Sequence, residues 1–380
     1  FAKNIKKNAD GAITNVICNS AKQGLIPQRD YFDKDIANSD NTDGYYIIET
    51  NDFVYNPRKS TDAPYGPISS YKYPEAGIVS PLYLCFRAKQ EINPLYFEWY
   101  FRSSAWHRYI YMSGDSGARH DRVSIKDDTF FAMPINIPSA KEQDRIALFL
   151  NAIEQKIDKQ RSLVDALKKY KRGVTRRLFA QEKGSFETNL QIVSLGDLFP
   201  FIRNGFVGTV TPFFTDREHG VRYLQGTNIH AGKITDDTVY YVTKDFNAKH
   251  SKNILKRDDI LVVQSGHVGE CAVVGKEYEG ANCHALIIMS NGGNCFSDYV
   301  AQYINSEAGN KQIASITTGN TIRHILASAI ADMVIPIPSL EEQKRVAYLL
   351  SIYDDRIAKE EQLLSELEAM RKGLLQQLFI

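Results

Sequence analysis

Eight histidines and five cysteines are scattered over 380 residues, and none falls into a spacing that performs a known reaction. His107, His120, His219, His230, His250, His267, His284 and His324 form no HExxH pair. Cys18, Cys85, Cys271, Cys283 and Cys295 form no CxxC. Neither a catalytic nor a structural zinc site is therefore indicated, and each histidine reads as a surface or hydrogen-bonded residue. GECAVVGK (269–276) misses the GxxxxGK[ST] spacing of a phosphate loop and reads as strand and turn. There is no GxSxG elbow. Asn56-Pro57-Arg58 lacks the second proline and the aromatic ring of an adenine-methylating Asn-Pro-Pro-aromatic loop, and no glycine-rich cofactor loop follows a strand. The expectation is a chain without catalytic residues, metal or cofactor of its own.

A second kind of chemistry is recognition. Base edges are read by Arg, Lys, Asn, Gln, Ser, Thr and His on rigidly held loops. The first half offers Lys22, Gln23, Gln28, Arg29, Arg58, Lys59, Tyr71, Lys72, Arg119 and His120 in such stretches. The second offers Gln225, Thr227, Asn228, His230, Gln264, Ser265, His267, Thr321, Arg323 and His324. These are the candidate DNA-binding residues. Loops are polar in any protein, so composition alone also fits solvated surface. Charge qualifies the picture: residues 1–139 carry 16 basic and 16 acidic side chains, and residues 181–339 carry 13 and 16. Non-specific DNA affinity comes from neutralised phosphates. A basic partner would have to supply much of any clamp.

The elements that must hold these loops are declared by an internal repeat. Residues 133–180 align with 333–380 without a gap, and 17 of the 48 positions are identical. Each copy opens with Pro-Ser and a glutamate three residues on (Ser139 and Glu142; Ser339 and Glu342), which is a capping box. Apolar residues follow at steps of four and three. They are Ile146, Leu150, Ile153, Ile157, Val164, Leu167, Val174 and Leu178, then Val346, Leu350, Tyr353, Ile357, Leu364, Leu367, Leu374 and Leu378. This heptad seam predicts two long helices that pair with each other as an antiparallel coiled coil. Both seams break at Gln160/Glu360 and Lys171/Arg371. Pseudo-twofold pairing predicts Lys171 against Glu360 and Gln160 against Arg371. The run Lys168, Lys169, Lys171, Arg172, Arg176, Arg177 reads equally as solvated face or as contact with an acidic partner.

Between the helices the plan repeats with weaker identity. TNDFVYNPRKS (50–60) matches KRDDILVVQSGHVGECAVV (256–274), and GIVSPLYLCFR (77–87), a strand, matches NCHALIIMS (282–290). The aromatic stretch LYFEWYFRSSAWHRYIY (95–111) reads as a buried helix and corresponds to 298–313, while Arg119-His120 falls in step with Arg323-His324. The expected fold class is α+β: residues 1–138, a long helix over 139–180, a similar mixed α/β unit over 181–338, and a long helix over 339–380. The chain starts at Phe1, and the first unit lacks the lead-in VSLGDLFPFIRNGF (193–206) of the second, so its N-terminal edge is expected to be missing. The composition is 43% hydrophobic and 24% charged, with no 18-residue apolar run and an odd set of scattered cysteines. A soluble, cytoplasmic protein is expected.

The duplicated IPSAKEQ (137–143) and IPSLEEQ (337–343), each opening a heptad helix that ends at Leu-Phe, resemble the specificity subunit of type I restriction–modification systems, as do VGECAVV and DFVYNPRKS. The resemblance covers essentially the whole chain. It implies two target recognition domains, each reading half of a bipartite, asymmetric double-stranded DNA target, with the coiled coil setting the unread spacer. It also implies a non-catalytic chain docked to methyltransferase subunits, two of them, which carry S-adenosylmethionine, and to restriction subunits, which use ATP and Mg. The alternative from the residues alone is a coiled-coil scaffold with two protein-binding domains.

Overall fold

The computed structural model describes residues 1–31, 42–114, 121–179, 190–319 and 323–379. The chain forms two compact units, 1–161 with 362–380 and 162–361, so each holds one globular part and half of each long helix.

The first unit is built on a four-stranded antiparallel sheet in the order Ala2–Lys3, Leu84–Arg87, Phe53–Tyr55, Ile68–Ser70. Beside it lie the hairpin Ile17–Ser20/Gly24–Pro27 and the pair Tyr46–Ile48/Gly77–Val79. The stretch expected to be one strand over 77–87 is two short strands in different sheets. The aromatic stretch likewise divides into two helices, Pro94–Arg102 and His107–Ser113. The break falls at Ser103, whose Oγ donates to Tyr100 O at 2.6 Å and so competes with the helical ladder. Phe53, Phe86, Phe97, Phe101, Trp106 and Phe130 fill the core between sheet and helices.

The second unit repeats this frame with the order Phe201–Asn204, Leu286–Ser290, Ile260–Val263, Cys271–Val273. Its paired helices are Ser297–Ile304 and Glu307–Ile316. A further four-stranded sheet contains Gly220–Leu224 and Tyr240–Thr243. One turn shows how closely the frames agree. Asn51 and Asp258 both adopt positive φ, 72° and 65°. The aspartate after each is buried and accepts from the backbone N–H three residues back, Glu49 to Asp52 and Lys256 to Asp259. Asn and Asp tolerate this conformation better than other side chains with a Cβ.

The long helices run over Ala140–Phe179 and Leu340–Leu378. At the first start, Ser139 N–H donates to Glu142 Oε2 at 3.1 Å and Glu142 N–H to Ser139 Oγ at 3.4 Å, the expected capping box. The glutamine that follows has a tertiary role. Gln143 is buried; its Nε2 donates to Pro138 O at 3.0 Å and its Oε1 accepts from Asn93 N–H at 3.1 Å. Gln343 does the same with Pro338 O at 2.9 Å and Phe296 N–H at 2.8 Å. The repeated Glu-Gln therefore clamps each long helix to the start of a helix in its own globular part.

Within the first unit, Ile153 and Ile157 pack against Leu364 and Leu367, and the pairs Glu154–Arg371 and Arg161–Glu368 run in opposite senses along the helices. Within the second, Lys171–Asp354 and Lys168–Glu361 mark the same antiparallel pairing, beside the rings of Tyr170 and Tyr353 at 5.5 Å. The ion pairs of Lys171 and Arg371 are thus made with Asp354 and Glu154, each six positions before the expected Glu360 and Gln160. Glu360 binds Arg356 on its own helix at 2.6 Å. The basic run is partly internal: Lys168, Lys171 and Arg176 all pair with acids of the second unit. No helix among the described residues is long and apolar enough to cross a membrane.

Candidate nucleic-acid interface

In the first unit four of the candidate residues converge. Lys22 and Gln23, from the turn of the hairpin, and Arg58 and Lys59, from the loop after Phe53–Tyr55, line one groove of 690 Å³ with Asn19, Asn56, Tyr83 and Arg122. Among the described residues its charged lining is Lys22, Arg58, Lys59 and Arg122 against Asp62. Residues 1–139, with 16 basic and 16 acidic side chains, therefore present a locally basic groove. The loops are held from beneath. Asn19 is buried, and its Nδ2 donates to Val54 O at 2.8 Å and Pro67 O at 3.2 Å. Asn56 Nδ2 donates to Asn19 O at 3.2 Å and its Oδ1 accepts from Arg58 N–H at 3.1 Å, an Asx turn that aims the arginine. Burial raises the pKa of both Cys18 and Tyr83 on the groove wall, so both stay protonated at neutral pH.

Arg122 is the residue that sequence reasoning missed. It lies directly opposite Arg58 in an antiparallel bridge framed by Lys59 N–H to Asp121 O and Val123 N–H to Pro57 O. Like charges on facing positions are unfavourable. Moreover, Arg122 Nε is buried and has no hydrogen-bond partner among the described residues. An anion in the groove would relieve both. The only sequence signal was its place two residues beyond Arg119-His120.

The equivalent bridge in the second unit joins Ser265 and His324, with Ile325 N–H donating to Gln264 O. Arg122 therefore takes the place of His324, a shift of two positions from the expected correspondence with Arg119-His120. His324 Nε2 lies 3.2 Å from Thr318 Oγ1. His267 and Arg323 line a separate cleft of 990 Å³ with Lys168, Arg172 and Glu270. His230 stacks on His267 at 5.4 Å. Thr227 is exposed, and Gln225 N–H is taken by Asn228 Oδ1.

Two candidates are corrected. Tyr71 is fully buried and its hydroxyl donates to Glu75 O at 2.9 Å. Asn228 is fully buried and its Nδ2 bonds Thr235 O and Thr238 O. Both build the fold, because each side chain points inward from a turn that needs its hydrogen bonds. Lys72 is exposed but paired with Glu98 at 2.9 Å, away from the groove, and Gln28 and Arg29 form the short helix after the hairpin. Arg119, His120 and Thr321 lie outside the described residues.

Residues 187–369 match the family model of the type I restriction modification DNA specificity domain. The type I restriction enzyme MjaVIII specificity subunit of Methanocaldococcus jannaschii is 24% identical over 266 residues, 65% of this chain and 61% of that one. The EcoKI specificity subunit of Escherichia coli is 28% identical over 180 residues, 42% of this chain and 37% of that one. The match thus spans about three fifths of the first relative's length. A chain solved in work on complex assembly and conformational transition of the type I R-M system superposes with TM-score 0.60 at 16% identity, covering 100% of this chain and 95% of its own. The S subunit from M. genitalium gives 0.55 at 15%, covering 91% and 87%. At these identities the superpositions establish fold. The sequence matches are to type I specificity subunits, and the superpositions show that the chain shares their fold.

Proposed function

We infer that this chain, which carries a type I restriction modification DNA specificity domain, is the DNA-reading subunit of such a system. Each globular part reads one half of a bipartite, asymmetric target, and the antiparallel helices set the unread spacer. The chain supplies recognition. Docked methyltransferase subunits supply S-adenosylmethionine and the methyl transfer, and restriction subunits supply ATP and Mg chemistry.

The observation that carries this reading is the bridge described above: one frame, built twice, presents Arg58 with Arg122 in one unit and Ser265 with His324 in the other. A pair of arginines suits phosphate or guanine, whereas serine and histidine make different base-edge contacts. Conserved framework with exchanged polar tips is what two readers of unlike half-sites require. Four groove cations would give few phosphate contacts, so tight binding would draw on basic partners.

The test is adenine methylation across the host genome, with and without this gene. Loss at one split motif supports the reading; unchanged methylation together with no co-purifying methyltransferase overturns it. In the assembled complex, Arg58→Ala and Arg122→Ala should each weaken DNA binding. If the arginine binds phosphate, the slope of log K against log salt should fall by about one. Tyr71→Phe should leave both unchanged.

A further inference from the structure

The second unit contains a cluster whose geometry the DNA-reading proposal does not explain, although His230 and His267 are among the candidate DNA-binding residues. His230, His267 and Glu270 each offer a ligand atom, and these atoms lie within 4.8 Å of one another. They come from two separate segments. His230 ends the strand Ile229–His230, which turns back through Ala231 and Gly232, both at positive φ (51° and 76°), to Lys233–Ile234. Positive φ at both central residues is the type I′ hairpin turn, which fixes where the preceding residue lies. His267 and Glu270 belong to the loop between Ile260–Val263 and Cys271–Val273.

Each carrier is pinned by contacts outside the cluster. His267 Nε2 lies 3.1 Å from Ile229 O, which places its ring against that of His230, nearly parallel at 16°. Glu270 Oε2 lies 3.7 Å from the same Nε2. In the tautomer that donates from Nε2 to the Ile229 carbonyl, Nδ1 carries the lone pair, the arrangement in which a backbone carbonyl orients a metal-binding imidazole. Glu270 is followed by Cys271, whose N–H and C=O are both bound by Asn305 at 3.1 and 2.8 Å. It is preceded by Gly269, where a Cβ would come within 2.3 Å of Ile313. The loop backbone is thus seated on a helix on one side and hydrogen-bonded on the other.

We propose that His230, His267 and Glu270 bind one Zn²⁺ ion, clipping the 229–234 hairpin to the 264–270 loop that also carries Gln264 and Ser265. Two imidazoles and one carboxylate form a borderline donor set that suits Zn²⁺ and leaves its fourth position to water. Hard cations such as Mg²⁺, which prefer oxygen ligands, fit it poorly. No part of this inference depends on the DNA-reading function.

The experiment is calorimetric titration of the metal-free full chain with ZnCl₂, alongside His230→Gln, His267→Gln and Glu270→Gln. The expected result is one Zn²⁺ per wild-type chain, affinity reduced at least about tenfold in either histidine variant, and no comparable binding of Mg²⁺. Zn²⁺ should raise the melting temperature of the wild type and not of the His230→Gln chain. His230 is exposed, so that variant should fold, and far-ultraviolet circular dichroism verifies it. Wild-type protein that binds no Zn²⁺, or histidine variants that bind it as tightly as wild type, would overturn the proposal.

Discussion

Replacing Gln143 by alanine removes the acceptor of Asn93 N–H and the donor to Pro138 O in one step. Gln143 is 4% exposed while Asn93 and Pro138 are half-buried, so water replaces the two bonds only in part. Each buried backbone group left without a partner costs about 1–3 kcal/mol. Partial relaxation sets the expected loss near the lower end of the combined range, about 3 kcal/mol. For a unit of 180 residues that corresponds to a fall in melting temperature of roughly 6–12 °C. The assay is built into the chain, because Trp99 and Trp106, its two tryptophans, are both buried in the first unit. Urea unfolding followed by tryptophan fluorescence therefore reports that unit. Gln143→Ala should move this transition more than Gln343→Ala, which acts on the second unit. Gln143→Glu separates hydrogen bonding from packing. It keeps the acceptor for Asn93 N–H but sets a carboxylate oxygen against the Pro138 carbonyl, and only the protonated form can donate there. Its folded-state pKa should be raised, so the variant should regain stability as pH falls toward 4. A Gln143→Ala midpoint that corresponds to a loss below about 0.5 kcal/mol, the range of inert surface changes, would refute the clamp.

Two further outcomes follow from buried polar groups. Asp52 is fully buried, accepts from Arg87 Nε at 2.5 Å and Nη2 at 2.8 Å, and holds the Glu49 turn, while Arg87 is half-exposed and keeps Glu49 as a partner, so Asp52→Ala should cost about 1.5–3 kcal/mol by the tryptophan-monitored transition. A loss under about 1 kcal/mol would assign the pair to the weak surface class. His107 lies against Tyr65 and Trp106, at 4.7 and 4.9 Å, and burial lowers its pKa. The unfolded chain then binds a proton at His107 more readily than the folded one. Its contribution to stability is complete above about pH 6.5, the unfolded value, and is lost as pH falls below it toward the folded pKa. His107→Gln should flatten that part of the stability profile, and an unchanged profile would contradict the assignment.

What could be read directly from the residues was the long-range periodicity of the two helices; the short elements 77–87 and 95–111 each divided in two. The heptad seams and the Ser139 cap each depend on neighbours a few positions away, and the 200-residue repeat shows that both are built twice. The Glu-Gln signature was equally visible, but not its purpose, because Asn93 and Phe296 come from elsewhere in the chain. Recognition residues were legible as types and not as a site. Lys22, Gln23, Arg58 and Lys59 meet because strand pairing brings their loops together, and the same folding turns Tyr71 and Asn228 inward. The antiparallel register gives the clearest case. Arg161 pairs with Glu368, and their repeat counterparts Glu361 and Lys168 pair with both signs reversed. Sequence determined that two seams exist and must pair, since apolar spacing is a property of each helix alone. Tertiary structure decided which polar residues face one another, because the offset between two helices is set by how their side chains interlock and by the globular parts that clamp their ends.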